Sequence, residues 1–147
     1  MDLTTMPGHL IRRLHQTSVQ VFTGRAREAG LDLTPVQFAA MGAIHDDPGI
    51  DQATVAERIG YDRATIGGVI DRLETKGLVL RKVSRRDRRA RELSLSDNGQ
   101  AVLARARPLV AAFQPEILGA LDAAETAQFL ALARRALRID ESGGRTG

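Results

Sequence analysis

The hydrophobic period of this chain changes from helical to alternating after residue 77, and that change limits the folds open to it. Residues 63–76 place apolar side chains at the spacing of one buried helical face, and Gly77 follows as a helix terminator. In residues 78–83 and 91–96 apolar and polar side chains alternate instead, which is the period of a β-strand. The basic stretch between them, residues 84–90, would form the tip of a β-hairpin. We therefore predict one hairpin in a chain that is otherwise helical.

The segments on both sides of the hairpin have helical periodicity. Helices are predicted over residues 8–29, from Pro35 to about residue 45, after Asp51, over 97–119 and after Asp122. Thr34 and Asp51 have the side chains of N-caps, and Asp122 with Glu125 resembles a capping box for the last helix. Asp62 is expected to cap the helix over 63–76. The fold class is thus mainly α with a small β-hairpin.

Two prolines interrupt the long helical pattern that follows the hairpin. Each removes a backbone donor, so we expect a bend near Pro108. The sequence does not decide whether Pro115 ends this helix. Residues 142–147 are expected to form a frayed tail.

The composition removes several classes of function. The chain has no cysteine, so disulfides and thiolate metal sites are excluded. The histidines at positions 9, 15 and 45 lack the spacing of metal ligands, and no phosphate-binding loop or nucleophile elbow is present. No apolar run is long enough to span a membrane, and no secretory leader is expected. We expect a cytoplasmic protein that is not an enzyme and holds no metal or cofactor.

Positive charge is concentrated in the predicted hairpin. The formal net charge is only +3, yet seven of the 21 lysines and arginines lie between Arg81 and Arg91, where Asp87 is the one acidic residue before Arg91. Arginine suits bidentate contacts to phosphate and guanine. A local basic stripe on a nearly balanced chain indicates a site for a polyanion.

Two short helices joined near Gly60 and followed by such a hairpin are typical of a winged helix-turn-helix. The second helix of the pair can enter a major groove, which is about 12 Å wide. If its apolar face is buried, the residues left facing outward are Arg63, Ala64, Thr65, Gly67, Gly68 and Arg72. Two glycines weaken a helix, which is understandable if its backbone must lie close to DNA; the alternative is that packing merely tolerates them.

The hairpin tip is expected to contact the DNA backbone or the minor groove. Its candidate contact residues are Arg85, Arg86, Arg88 and Arg89, and these four like charges within five positions repel each other unless an anion binds them. Asp87 is interpreted as an ion-pair partner that orients one arginine, and Arg91 as a second orienting residue. A solvated charged turn remains the alternative.

Residues 34–99 resemble the multiple antibiotic resistance regulator (MarR) family. The resemblance rests on residues 34–38, 62–65, 73–79 and above all 87–99, an Asp-x-Arg tip followed by a Leu-Ser-x-x-Gly exit into the next helix. It implies a single domain over 1–147, with a DNA-binding lobe at 34–96 and a helical dimerisation region formed by 8–30 and 97–139. It also implies that Arg89 enters the minor groove and that a small ligand relieves repression of nearby genes.

Independent arguments favour a dimer. One winged helix covers little DNA, whereas a two-fold dimer presents two recognition helices to a palindrome, ~34–36 Å apart. Apolar residues of the long helix also need partners, among them Leu103, Val110 and Phe113. The alternative function is an architectural or protein-interaction module without operator specificity.

A polar stripe on the first helix is the candidate ligand site. His9, Arg12, Arg13 and Gln16 lie within about 100° of helical arc, and arginine with histidine suits a carboxylate or phenolate. The opening residues 7–16 are similar to family members that control breakdown of hydroxybenzoates or hydroxynicotinates. A solvated face, or polar contacts in a dimer interface, is the alternative that stays open.

Overall fold

The structure of the protein is a computed structural model in which residues 1–139 are described, so the predicted tail at 142–147 lies outside the described residues. The elements follow one another as α1 (Pro7–Glu28), α2 (Pro35–Asp46), α3 (Gln52–Ile59), α4 (Ile66–Thr75), β1 (Val79–Val83), β2 (Arg91–Leu95), α5 (Asp97–Ile117) and α6 (Ala123–Ala136). A short 3₁₀ turn, Leu3–Thr5, precedes α1. The predicted fold class, mainly helical with one hairpin, is confirmed.

Short-range hydrogen bonds set the starts of three helices. Thr34 accepts from the backbone of Gln37, whose side chain accepts from Thr34 N in return, so α2 begins with a capping box. Asp51 caps α3 by accepting from Thr54 N at 2.7 Å. Asp122 and Glu125 form a second capping box at α6. These three N-caps were all predicted from the sequence.

The start of α4 differs from the prediction. Asp62 was expected to cap a helix that begins at residue 63, but the helix begins at Ile66. The Asp62 carboxylate accepts from Ala64 N at 3.1 Å, and its carbonyl accepts from Thr65 N at 3.2 Å and from Ile66 N at 3.0 Å. This local turn satisfies the same donors without helical geometry. Arg63, Ala64 and Thr65 therefore lie in a lead-in turn before the helix.

The chain divides into two compact units, residues 1–113 and the residues from Gln114 onward. The first unit contains the core, in which Met41, Ile44, Ile70, Leu73 and Leu93 are fully buried. Three of the four phenylalanines meet there: the Phe22 ring lies 6.1 Å from that of Phe38 and 5.4 Å, edge to face, from that of Phe113. In the second unit, α6 has no buried residue and exposes Leu130 and Leu132.

The hairpin is antiparallel, with Val79 opposite Leu95 and Arg81 opposite Leu93. Its inner face buries Val79, Leu93 and Leu95 against the helices. Leu93 also exchanges backbone hydrogen bonds with the loop between α2 and α3, from Leu93 N to Ile50 O at 2.9 Å and from Gly49 N to Leu93 O at 2.8 Å. The inner strand β2 is therefore attached to the helical body by both side chains and main chain.

The exit from the hairpin explains the Ser-x-x-Gly pattern seen in the sequence. Ser96 Oγ donates to Gly77 O at 2.6 Å and accepts from Gly99 N at 2.9 Å, which caps the start of α5. A Cβ atom on Gly99 would lie 2.0 Å from Leu78 O, so only glycine allows α5 to pass this close to the backbone before β1.

The long helix α5 continues through both prolines. Neither Pro108 nor Pro115 ends it, since its last residue is Ile117. No helix within residues 1–139 is both long and apolar enough to cross a bilayer.

Candidate nucleic-acid interface

The helix-turn-helix is formed by α3 and α4. Gly60 ends α3 with a φ of 67°, a left-handed conformation that favours glycine, and Tyr61 N then donates to Ala56 O at 2.8 Å. One face of α4, made of Ile66, Val69, Ile70 and Leu73, is buried as predicted. Because that face holds the helix against the core, the opposite face is left to solvent.

The lead-in turn and the first part of α4 expose several predicted contact residues. Arg63, Ala64, Thr65 and Arg72 are all exposed. Thr65 Oγ1 donates to Asp62, at 3.3 Å to its carbonyl oxygen and 3.4 Å to a carboxylate oxygen. Their contact with DNA stays a prediction.

The pKa of one carboxyl group, that of Asp51 at the start of α3, is lowered in the structure. Hydrogen bonds from the backbone and side chain of Thr54 lower the pKa of Asp51, and the positive charge of Arg63 adds to this effect. The Arg63 side chain is itself exposed. Its charge is available at the surface of the lobe.

The two glycines of α4 have different surroundings. A Cβ atom on Gly68 would meet nothing within 4 Å, so this position is open. A Cβ atom on Gly67 would lie 3.1 Å from Nε2 of Gln52, and Gly67 is only half-exposed. Gly67 is therefore partly covered by the Gln52 side chain at the start of α3, and the contact of both glycines with DNA stays a prediction.

The wing tip, residues 84–90, has an ordered main chain. The buried hydroxyl of Ser84 accepts from Arg86 N at 3.2 Å and from Asp87 N at 3.3 Å. Ser84 N donates to Ala90 O at 3.1 Å, and Ala90 N donates to Asp87 O at 3.0 Å. Serine and aspartate thus shape the turn locally.

The four arginine side chains of the wing tip are exposed and unpaired. Within residues 1–139, no guanidinium of Arg85, Arg86, Arg88 or Arg89 makes a hydrogen bond or an ion pair. This leaves four charged groups on a main chain that is already hydrogen-bonded. Such an arrangement can meet the phosphates of a duplex without first breaking internal contacts.

Asp87 does not act as the expected ion-pair partner. Its carboxylate accepts from Arg89 N at 2.9 Å, so it holds the backbone of the turn rather than a guanidinium. Arg91 donates through Nη1 to Arg88 O at 3.2 Å. The ion-pair role predicted for Asp87 is therefore wrong, because its carboxylate binds the backbone of its own turn. The orienting role of Arg91 stays a prediction.

Sequence reasoning missed the role of Arg81. It counted this residue only as part of the basic stripe, yet its side chain donates to Asp71 on α4 at 2.5 Å and is largely buried. The signal was present in the alternation of β1, because Arg81 occupies the same face as Val79.

The polar stripe of α1 lies on the surface of the first unit. His9 Nδ1 and Arg12 Nη2 are 3.1 Å apart, and Arg12, Arg13 and Gln16 are exposed. None of the four lines either of two clefts, one of about 490 Å³ beside Lys76 and Arg105 and one of about 220 Å³ beside His45 and Gln100. Within residues 1–139 the four side chains of this stripe therefore lie outside both of these clefts.

The structure described for residues 1–139 holds no group of three histidine or acidic side chains placed to bind a metal ion.

Comparisons with known proteins agree with this geometry. Residues 31–90 match the MarR family. The transcriptional regulator HosA of Escherichia coli is 36% identical over 135 residues, which are 92% of this chain and 97% of HosA. The HTH-type transcriptional repressor NicR of Pseudomonas putida is 31% identical over 143 residues, 97% of this chain and 89% of NicR.

Solved structures extend the likeness to the fold. The PcaV regulator of Streptomyces coelicolor, in complex with its natural ligand, has 37% identity and a TM-score of 0.83, covering 94% of this chain and 96% of PcaV. The repressor CouR, bound to a 23-mer DNA duplex, has 30% identity and a TM-score of 0.78, covering 92% and 94%. BpsR of Bordetella bronchiseptica, whose DNA binding is regulated by 6-hydroxynicotinic acid, has 27% identity and a TM-score of 0.84, covering 95% and 99%. The protein therefore belongs to the MarR family of transcriptional regulators.

Proposed function

We propose that this protein is a dimeric repressor that binds a palindromic operator with α4, its lead-in turn and the wing tip, and that a small aromatic acid releases it. Regulators of the MarR family are DNA-binding and ligand-responsive, and they act as dimers. For this chain we propose which residues contact DNA, that the operator is palindromic, and that the ligand is an aromatic acid.

The proposed DNA surface rests chiefly on the structure of the wing tip. The wing tip has a main chain fixed by hydrogen bonds and four unpaired guanidinium groups, on the same lobe as an exposed helix-turn-helix. A fixed loop loses little conformational entropy when it binds, and unpaired arginines gain contacts to phosphate without losing others. The CouR complex with DNA supports the same use of a related fold.

The test is fluorescence anisotropy of the purified protein on DNA from upstream of its own gene, against a scrambled duplex, over a range of salt concentrations. We expect saturable binding with a clear preference for the upstream DNA. A merely architectural winged helix would show no such preference and only salt-sensitive binding.

Changing Arg89 to alanine tests the wing assignment. Arg89→Ala should weaken binding to the preferred duplex at least tenfold, roughly 1.4 kcal/mol, while the dimer stays intact. Arg27→Ala, checked by gel filtration to be dimeric, is the control, since it removes an exposed arginine of α1 outside the proposed DNA surface. Equal binding by wild type and Arg89→Ala in a gel-shift titration would remove the wing tip from the DNA interface.

The ligand class rests on the polar stripe of α1 together with the relatives. An arginine and a histidine side by side provide donors for a carboxylate or phenolate. BpsR responds to 6-hydroxynicotinic acid, an aromatic acid of this chemistry. Because the stripe is exposed in the single chain, we propose that a second copy completes the site.

Changing Arg13 to alanine tests this ligand site. The wild-type complex with DNA should dissociate on titration with one member of a panel of hydroxybenzoates and hydroxynicotinates. Arg13→Ala should bind DNA as the wild type does but need at least tenfold more of that acid for release, whereas Arg27→Ala should respond normally. An unchanged response of Arg13→Ala would exclude Arg13 from the site.

The remaining parts of the proposal concern organisation. Residues 8–30 and 97–139 would form the dimerisation region, and residues 34–96 the DNA-binding lobe. The expectation that Leu103, Val110 and Phe113 need a partner chain is wrong, because all three are buried within the single chain. The exposed apolar side chains Leu10, Ile11 and Leu130 supply surface for a dimer instead. The protein would act in the cytoplasm and would catalyse no reaction.

A further inference from the structure

Arg81 is a charged residue on the inner face of the hairpin. It shares this face with Val79 and Val83 of β1, and it lies opposite Leu93 of β2. Its side chain is only 23% exposed, although it carries a charge. An arginine in this position needs polar partners, because burying an unpaired charge is costly.

Those partners all lie on the recognition helix α4. Arg81 Nη2 donates to the Asp71 carboxylate at 2.5 Å and to Gly67 O at 3.5 Å. Arg81 Nε is buried without a hydrogen bond, and it forms a longer ion pair with Glu74 Oε2, which is 3.9 Å away. One terminal nitrogen of the guanidinium, which carries two N–H donors, thus contacts both a carboxylate and a carbonyl oxygen about one helical turn apart on α4.

Strand β1 has few other attachments to the helical body near the wing tip. The inner strand β2 is held to the α2–α3 loop through Leu93. On β1, Val83, the next residue after Arg81 on the same face, is 54% exposed. A two-stranded hairpin is marginally stable alone, so the direction in which its tip points depends on such attachments.

We propose that Arg81 is a positioning residue for DNA binding: by holding β1 against α4 it keeps the wing tip in one orientation relative to the recognition helix. Both surfaces then reach the same half-site together, without a loss of orientational freedom on binding. This inference rests on the DNA surface proposed above.

The test uses the full-length protein and the preferred upstream duplex, with two variants that break one contact from opposite sides. Arg81→Gln removes a positive charge, and Asp71→Asn removes a negative one. General electrostatics predicts opposite effects of these changes on DNA affinity. Loss of positioning predicts the same effect, a decrease of about tenfold in both. Glu57→Gln is the control, because it removes an exposed acidic side chain of α3 that is not among the partners of Arg81, so it should have little effect on DNA affinity.

A double-mutant cycle with Arg89→Ala separates positioning from a general loss of stability. Arg89→Ala alone should lower DNA affinity at least tenfold. In the Arg81→Gln or the Asp71→Asn background, the same change should lower DNA affinity by less than a further threefold. A full tenfold effect of Arg89→Ala in both backgrounds overturns the inference, as does tighter binding by Asp71→Asn. If Arg81→Gln does not fold, Asp71→Asn carries the cycle, because that carboxylate is 66% exposed. If the wild type itself shows no preference for the upstream duplex, the proposed function fails together with this inference.

Discussion

Gly68→Ala should make the protein more stable and its DNA binding weaker. Gly68 is the third residue of α4, it is exposed, and an added Cβ atom would meet nothing within 4 Å. The substitution therefore carries no steric cost in the free protein. What remains is the reduced backbone entropy of the unfolded chain, a stabilisation of about 0.5–1 kcal/mol per chain.

The size of both effects follows from general scales. With an unfolding entropy of roughly 2 cal/mol/K per residue, that stabilisation raises the Tm by about 2–3 °C. If the helix backbone approaches the duplex at Gly68, the new methyl group must push it away in both halves of the dimer. We then expect affinity to fall at least tenfold, about 1.4 kcal/mol.

Thermal unfolding and anisotropy titration measure the two quantities separately. Gly42→Ala is the matched control, because Gly42 lies within α2 and its Cβ atom would also meet nothing within 4 Å. That variant should gain stability and keep its affinity. A Gly68→Ala protein that is more stable and binds DNA as the wild type does would refute a close approach of this backbone, and lower stability would refute its open surroundings.

Two further changes test local geometry. Gly99→Ala should destabilise the protein by at least ~3 kcal/mol in urea unfolding, since its Cβ atom would lie 2.0 Å from Leu78 O and backbone would have to move; wild-type stability would contradict that close approach. Asp51→Ala should cost about 1 kcal/mol at pH 7 through the lost N-cap to Thr54. Hydrogen bonds from Thr54 lower the pKa of Asp51 from 3.8. The charged carboxylate therefore stabilises the fold above the unfolded-state pKa of about 4. This stabilisation is lost as the pH falls through the lower pKa of the folded state. The difference between wild type and Asp51→Ala should therefore shrink between pH 5 and pH 3, approximately, and a constant difference would contradict the assignment.

Local sequence predicted the parts of the fold that depend on neighbours in the chain. The N-caps at Thr34, Asp51 and Asp122 were predicted because each cap bonds a residue three positions later. The buried face of α4 and the alternation of the hairpin follow from periodicity alone. The family could also be recognised from motifs, chiefly in residues 87–99.

Two predictions were wrong because an aspartate had two possible hydrogen-bond partners close to it in the chain. Asp62 can cap a helix at residue 63 or close a turn before residue 66, and it does the latter. Asp87 can pair with a guanidinium or with the backbone of its own turn, and it binds Arg89 N. The sequence identifies the donors and acceptors, but it does not show which of the nearby groups forms the hydrogen bond.

The sequence by itself determined the helical elements, the single hairpin, the arginine-rich tip and the membership of a DNA-binding family. Only the tertiary structure decided which residues join these elements. Lys76, at the end of α4, donates to Asp32 O at 2.9 Å across 44 positions, and Arg81 contacts Gly67 O from the neighbouring strand. Periodicity and capping are properties of a few consecutive residues, whereas these contacts exist only once packing has brought distant segments of the chain together.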